Sequence, residues 1–244
     1  MDLPETGGWL SDTHLGTYDY EDPVSYFMRY AVELPAIRDA HQAITRQTRS
    51  SSTIATMSAL IVKAQHLEMI MSESNFPDDW RPHTVNYVSE VPEDVNTAEA
   101  WIGPVHRYTD IDVASALNKL RSCRIMLAKL IITGVTWAYP DDYHLRSEYR
   151  HAVYVEQKTI DDICSSVPSH FGFSKEFRPL ASGDVEMQHT ADLIAGYLLH
   201  WPLRVSRNSP RISERQRAWI DNKLEEVASR CGVHQASILS SRNV

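Results

Sequence analysis

Two Glu-x-x-His spacings, Glu148 with His151 and Glu186 with His189, come nearest in this chain to a metal-binding pattern. On a helix a residue and its third neighbour share a face, and a pair of such spacings on facing helices is how carboxylate-bridged di-iron sites are built. Two further bridging glutamates are not identifiable, and His189 falls at a predicted helix start, so no metal centre is predicted. Adjacent carboxylates at Asp78-Asp79, Asp141-Asp142 and Asp161-Asp162 invite comparison with helical terpene cyclases, which ionise a diphosphate. Neither Asp141 nor Asp161 opens a D-D-x-x-D run, and such pairs ordinarily sit at solvated turns or helix starts, where they favour the macrodipole. Cys164 and His170 would make a thiol–imidazole pair, but Pro168 lies between them. The nucleophile-elbow, zinc-protease, dinucleotide and phosphate-loop patterns do not occur. No catalytic residue and no cofactor are therefore expected.

Two groups of residues point to binding instead. Arg204, Arg207, Arg211 and Arg215, with Arg217 beside them, are the one basic concentration in an acidic chain. They are candidates for an anion site or a surface for an acidic partner, although Pro210 prevents a single continuous helix from carrying them all. Trp137, Tyr197 and Trp201 lie in apolar helical patterns and are candidates for a hydrophobic pocket, since aromatic rings offer large contact areas. Core packing and salt-bridged surface are the commoner roles for both groups.

The elements that must position these residues read as helices. Residues 1 to 22, with Gly7, Gly8 and Gly16, form an extended arm, and 23 to 244 form the helical body. Pro23 opens a first helical pattern, which Pro35 kinks or restarts. Ser50 to Ser52 offer N-caps to a long stripe of Ile54, Met57, Ile61, Ala64, Leu67 and Met71, predicted to end at Asn75. Phe76 to Gly103 is Pro-rich and reads as a long connection able to cover or line a cavity. Thr109 to Asp112 resembles a capping box ahead of a core helix that marches to Gly134, and another helix is predicted from Leu145 to Ser166, stopped by Pro168. A kinked helix spans Gln188 to Ser206 around Pro202. Ser213 to Gln216 is a second capping box, Gly232 a terminator, and His234 to Ser240 a last short helix. Beyond Thr84 to Glu90 no period-two strand pattern survives, so the class is all-α, about seven to nine helices in one irregular domain.

With 43% hydrophobic and 23% charged residues in 244, the composition is that of a folded globular chain. A formal charge of −8 argues against nucleic acid as a direct partner, because duplex binding draws on Lys and Arg neutralising phosphates. Three widely spaced cysteines, Cys123, Cys164 and Cys231, allow neither a disulfide framework nor a zinc knuckle. Met1 to Gly8 carry no apolar run of a secretory signal, and the apolar stretch Ile125 to Tyr139 is too short for a membrane span, so an intracellular location, nuclear or cytoplasmic, is expected.

Several segments resemble a known family. These are Tyr26 to Arg29 through Pro35, Pro77 to Arg81 with Trp80, Ser122 to Leu127, Ile163 to Gly172, Leu198 to Leu203, and Gln216 to Ile220. In their order and spacing they resemble the C-terminal part of the fungal-specific regulatory domain that follows the zinc binuclear cluster in fungal transcription factors, especially those near secondary-metabolite genes. The six-cysteine DNA reader of that family has no counterpart among three cysteines, so DNA binding is not carried over. The resemblance implies a regulatory module acting through a protein partner, such as a full-length transcription factor, or a small hydrophobic effector. Two other readings stand beside it: a helical scaffold recruited as an enzyme for a hydrophobic metabolite, and a fragment of a longer transcription factor.

Overall fold

The computed structural model describes residues 22–72, 76–171 and 185–231. The N-terminal arm up to residue 21, the loop through Pro179, Ser182 and Gly183, the terminator Gly232 and the short helix expected over 234–240 lie outside them. Asp22, placed by the sequence at the end of the arm, caps α1 (Pro23–Ala31): its carboxylate accepts from the backbone N–H groups of Val24 and Ser25. The Ser25 hydroxyl bonded to the same carboxylate is the main cause that holds the Asp22 pKa below its ordinary value. Pro35 restarts the chain as α2 (Leu34–Thr45). At the head of α3 (Ser51–Ile70), the Ser50 hydroxyl accepts from Thr53 N–H at 3.3 Å and Thr53 Oγ1 accepts from Ser50 N–H at 2.8 Å, a reciprocal capping box.

Three boundaries differ from the sequence reading. α3 stops at Ile70 rather than near Asn75. α4 (Ile111–Ala138) is capped by Asp110, whose carboxylate accepts from Val113 N–H at 2.8 Å. Thr109, expected in that role, donates its hydroxyl to the Asp79 carbonyl and ties the helix start to the 3-10 turn Asp78–Trp80. α5 (Ser147–Phe171) runs through Pro168 instead of stopping before it. Proline's fixed φ fits a helix, and its cost is the missing N–H. Here Val167, Pro168, Ser169, His170 and Phe171 are all buried, so tertiary packing outweighs the lost bond.

The fold is mostly helical, as read, with one small sheet added. β1 (His83–Val88) pairs antiparallel with β2 (Gly103–Arg107), His83 opposite Arg107 and Val88 opposite Gly103, with an irregularity between Thr84 and Asn86. Gly103 has φ of +121°, a conformation that a side chain would strain, and Gly-Pro at its start hid β2 from a search for alternation. β2 packs on α5, where Ser169 Oγ donates to the His106 carbonyl. α6 (Val185–Arg207) and α7 (Glu214–Cys231) complete the described chain, and Pro202 lies inside α6 as expected. Among the described residues no helix is long and apolar enough to cross a membrane.

Two hydrophobic cores share α4. The first gathers Tyr26, Ile37, Met57, Ile61, Leu67, Leu117 and Leu127 from α1 to α4. At its edge Tyr26, Phe76 and Trp80 meet ring to ring at 5.3 to 6.0 Å, and the Tyr26 hydroxyl donates to the Ile70 carbonyl. The second joins Ile125 of α4 to Ile160, Cys164 and Val167 of α5, Leu199 and Leu203 of α6, and Trp219 and Ile220 of α7. A helix apolar around most of its circumference must be enclosed by others, which is the position α4 takes. Its contact with α3 is close at Gly134, where an added Cβ would lie 3.0 Å from the Met57 sulfur.

Gly134→Leu is expected to lower unfolding free energy by about 2 kcal/mol through overpacking. Combining it with Met57→Ala should recover part of that loss, as read from urea midpoints.

Candidate functional site

Of the arginines singled out in the sequence, Arg207, Arg211 and Arg217 meet at the joint between α6, α7 and α5. The last carbonyls of a helix have no intrahelical donor, and at the end of α6 those of Arg204 and Ser206 take the N–H groups of Asn208 and Ser209 while others take side chains. Lys129 Nζ donates to Val205 O at 3.3 Å, while Arg217 donates to the carbonyls of Arg207 and, at 2.8 Å, Ser209. Burial depresses the Lys129 pKa below its ordinary value, an effect that the carboxylate of Glu156 opposes. Arg207 Nε pairs with Asp221 at 2.7 Å. Arg211 pairs at 3.1 Å with Glu156, a carboxylate only 1% exposed that also accepts from Ser209 Oγ at 2.7 Å. Glu156 on α5 thus holds the turn between α6 and α7.

The Pro-rich connection is held in the same way, by one face of α7. Arg215 Nη2 donates to the carbonyls of Val91 and Pro92 at 2.7 and 2.9 Å, Trp219 Nε1 to Ala98 at 3.0 Å, and Asn222 Nδ2 to Asn96 at 2.9 Å. Positions 215, 219 and 222 follow helical spacing, so a single helix face satisfies a loop that has few hydrogen bonds of its own. The loop covers the second core: Val91, Val95 and Ala98 are buried in it, and the Trp101 ring lies 5.7 Å from that of Trp219. Of the four arginines proposed as an anion or partner site, Arg207, Arg211 and Arg215 are thereby engaged within the chain. Arg204 is half-buried on α6, and its charge, after burial, helps lower the His200 pKa.

The aromatic trio divides. Trp137 is half-buried against the first core at the far end of α4, whereas Tyr197 and Trp201 are 59% and 40% exposed on α6. The three do not meet. Tyr197 and Trp201 instead share an outward face with Ile194, itself 52% exposed.

The chemical motifs are absorbed by structure. His151 Nε2 lies 3.9 Å from Glu68, a buried carboxylate that Arg124 grips at 2.7 Å, and Glu148 accepts from Ser147. The side chains of Glu186 and His189 lie outside the described residues. Among those described, no group of three or more His, Cys, Asp or Glu is placed to hold a metal ion. Asp78 pairs with Arg81, Asp142 with Arg146, and Asp162 with Lys158. Asp161, whose pKa is raised chiefly by burial, accepts from the carboxamides of both Gln157 and Gln216. That second bond corrects the reading of Ser213 to Gln216 as a full capping box: Ser213 Oγ accepts from Gln216 N–H, but the Gln216 side chain turns inward to α5. Burial raises the thiol of Cys123 to about 12 and pushes Cys164 up as well, so neither forms a ready thiolate.

One polar cluster escaped the sequence reading. Arg121, 1% exposed, donates to the Tyr108 hydroxyl at 2.7 Å and to Asn118 Oδ1 at 2.9 Å, and Asn118 Nδ2 donates to Ser166 Oγ. The Ser166 carbonyl lies 3.0 Å from His170 Nδ1, while His170 Nε2, fully buried, has no partner among the described residues. The cluster links α4, α5 and the segment after β2. Asn118 and Arg121, three residues apart in an apolar run, were its signal.

Comparison with known proteins agrees with the family resemblance. Over 179 aligned residues the chain is 24% identical to "Transcription factor dbaG" of Emericella nidulans, an alignment taking in 72% of this chain and 41% of that protein. The chain is similar to a fungal transcription factor and spans about two fifths of that relative's length. No family model and no solved structure matches. The resembling segments lie mainly in the two cores: Tyr26 and Trp80 in the ring cluster, and Cys164, Leu199 and Trp219 in the second core.

Two outcomes test this account of the polar groups. Glu156→Ala strands Arg211 and Ser209 without their carboxylate and is expected to cost about 3 kcal/mol, with Glu156→Gln costing less, both read by urea unfolding. Burial, with a smaller contribution from Arg121, depresses the His170 pKa from 6.5 to about 4, against the raising effect of its bond to Ser166. At neutral pH both folded and unfolded states carry a neutral imidazole. As pH falls below 6.5 the unfolded state takes up a proton that the native state refuses, so stability drops until the folded pKa near 4 is reached. Between about pH 7 and pH 5 this site should remove about 2 kcal/mol; in His170→Asn the slope should flatten.

Proposed function

We propose that this chain is a regulatory, non-catalytic module that modulates transcription of a fungal metabolic gene cluster, acting in the nucleus through a protein partner or a small effector rather than by gripping DNA itself. The observation that carries the reading is the similarity to a transcription factor, 24% identical over 72% of the chain. The fate of the polar side chains supports it. Glu68, Glu156, Asp161, Asp221 and three of the four candidate arginines are engaged in holding helices and loops together. A net charge of −8 favours protein or effector contacts over a duplex.

Deleting the gene in its source strain and measuring transcripts and metabolites together tests the proposal. Altered transcripts across neighbouring biosynthetic genes are expected. Unchanged transcripts alongside one blocked metabolic step would overturn the regulatory reading in favour of an enzyme.

A further inference from the structure

The outward face of α6 brings together residues that the sequence had assigned to two separate sites. Ile194, Tyr197, Trp201 and Arg204 follow i, i+3, i+7 and i+10 spacing and fall within about 80° of one another around the helix. Leu199 and Leu203, on the opposite face, are fully buried against α5 and α7. The three apolar side chains remain 40% to 59% exposed, an arrangement costly to leave in water and typical of interaction surfaces. Arg204 closes the stripe. Arg207 and Arg211 are held by carboxylates and Arg215 by the carbonyls of Val91 and Pro92, whereas Arg204 lies on the outward side of α6. His200 precedes Arg204 by one helical turn, and its pKa is lowered first by burial and then by the Arg204 charge.

We infer that this face docks an amphipathic helix of a partner protein that presents apolar residues at helical spacing and a carboxylate at the end meeting Arg204. Two amphipathic helices pack through apolar stripes at i, i+3 or i+4, and i+7, and α6 presents one such stripe with a cation at its end. The acidic character of the whole chain does not exclude an acidic partner. At physiological ionic strength charges are screened beyond about 8 Å, so a docked helix responds to Arg204 rather than to remote carboxylates. The inference deepens the regulatory reading and rests on it for the partner's role in the cell; the binding itself is measurable without it.

The test presents the purified full chain to a phage-displayed library of helical peptides randomised on one face. Enriched peptides should combine apolar residues at i, i+3 or i+4, and i+7 with Asp or Glu at one end. Trp201→Ala should weaken a selected peptide by at least about tenfold and Arg204→Glu by about fivefold, with a carboxylate-to-lysine change in the peptide recovering most of the second loss. Should Trp201→Ala fail to fold by circular dichroism, Tyr197→Ala carries the same test, since its side chain is 59% exposed. Failure to enrich any peptide, enrichment without acidic bias, or binding indifferent to Trp201 overturns the inference. So does a concentration-dependent dimer that Trp201→Ala abolishes, which would assign the face to a second copy of this chain. Peptide capture that persists while the deletion strain shows unchanged transcripts would leave the docking face standing and overturn the regulatory reading alone.

Discussion

A backbone carbonyl taken out of water without a donor costs about 1–3 kcal/mol, and two stretches of this chain present rows of them: the C-terminal end of α6 and the Pro-rich connection between β1 and β2. Each satisfies itself only in part: Asn208 and Ser209 N–H bond the Arg204 and Ser206 carbonyls, and Thr97 and Ala98 N–H bond those of Asp94 and Val95. Long cationic and amide side chains resolve both, with Lys129 and Arg217 at the helix end and Arg215, Trp219 and Asn222 along the connection. The buried Glu156 then fixes the turn between α6 and α7 from the side of α5, so that α7 presents the correct face to the loop. These donors lie around the second core and join its cover to α7.

This arrangement explains why a basic cluster in an acidic chain need not mark an anion site. A guanidinium has five donors in a rigid fork and tolerates partial burial, which makes it suited to bridging carbonyls of separate segments. Three of the four candidate arginines are used that way or in ion pairs, and the fourth is turned to the outer face of α6. The separation of structural from outward-facing cations is a product of helix rotation, since Arg204 and Arg207 are only three residues apart.

The similarity to a transcription factor has a physical content of its own. The segments that resemble the family in the sequence place aromatic residues at positions of close packing, such as Trp80 against Tyr26 and Trp219 beside Trp101. Similarity of this kind transmits a core and a chain path. It says less about the surface, where exposed residues are free to vary, and function in a binding module resides on the surface.

The described helices, the caps at Ser50 and Ser213, the restart at Pro35 and a helix carrying Pro202 within it were legible in the residues alone, because apolar periodicity and local hydrogen bonding act within a few positions. The passage of α5 through Pro168, the shift of the α4 cap to Asp110, and the strand after Gly103 were decided by contacts between segments far apart in sequence, which override local preferences worth about 1 to 3 kcal/mol. The same holds for the site. Residue type alone nominated Arg204, Arg207, Arg211, Arg215, Trp137, Tyr197 and Trp201. Which of these turn inward to complete buried hydrogen bonds, and which stay on the open face of α6, depends on how the helices are rotated against one another, and only the tertiary packing sets that rotation.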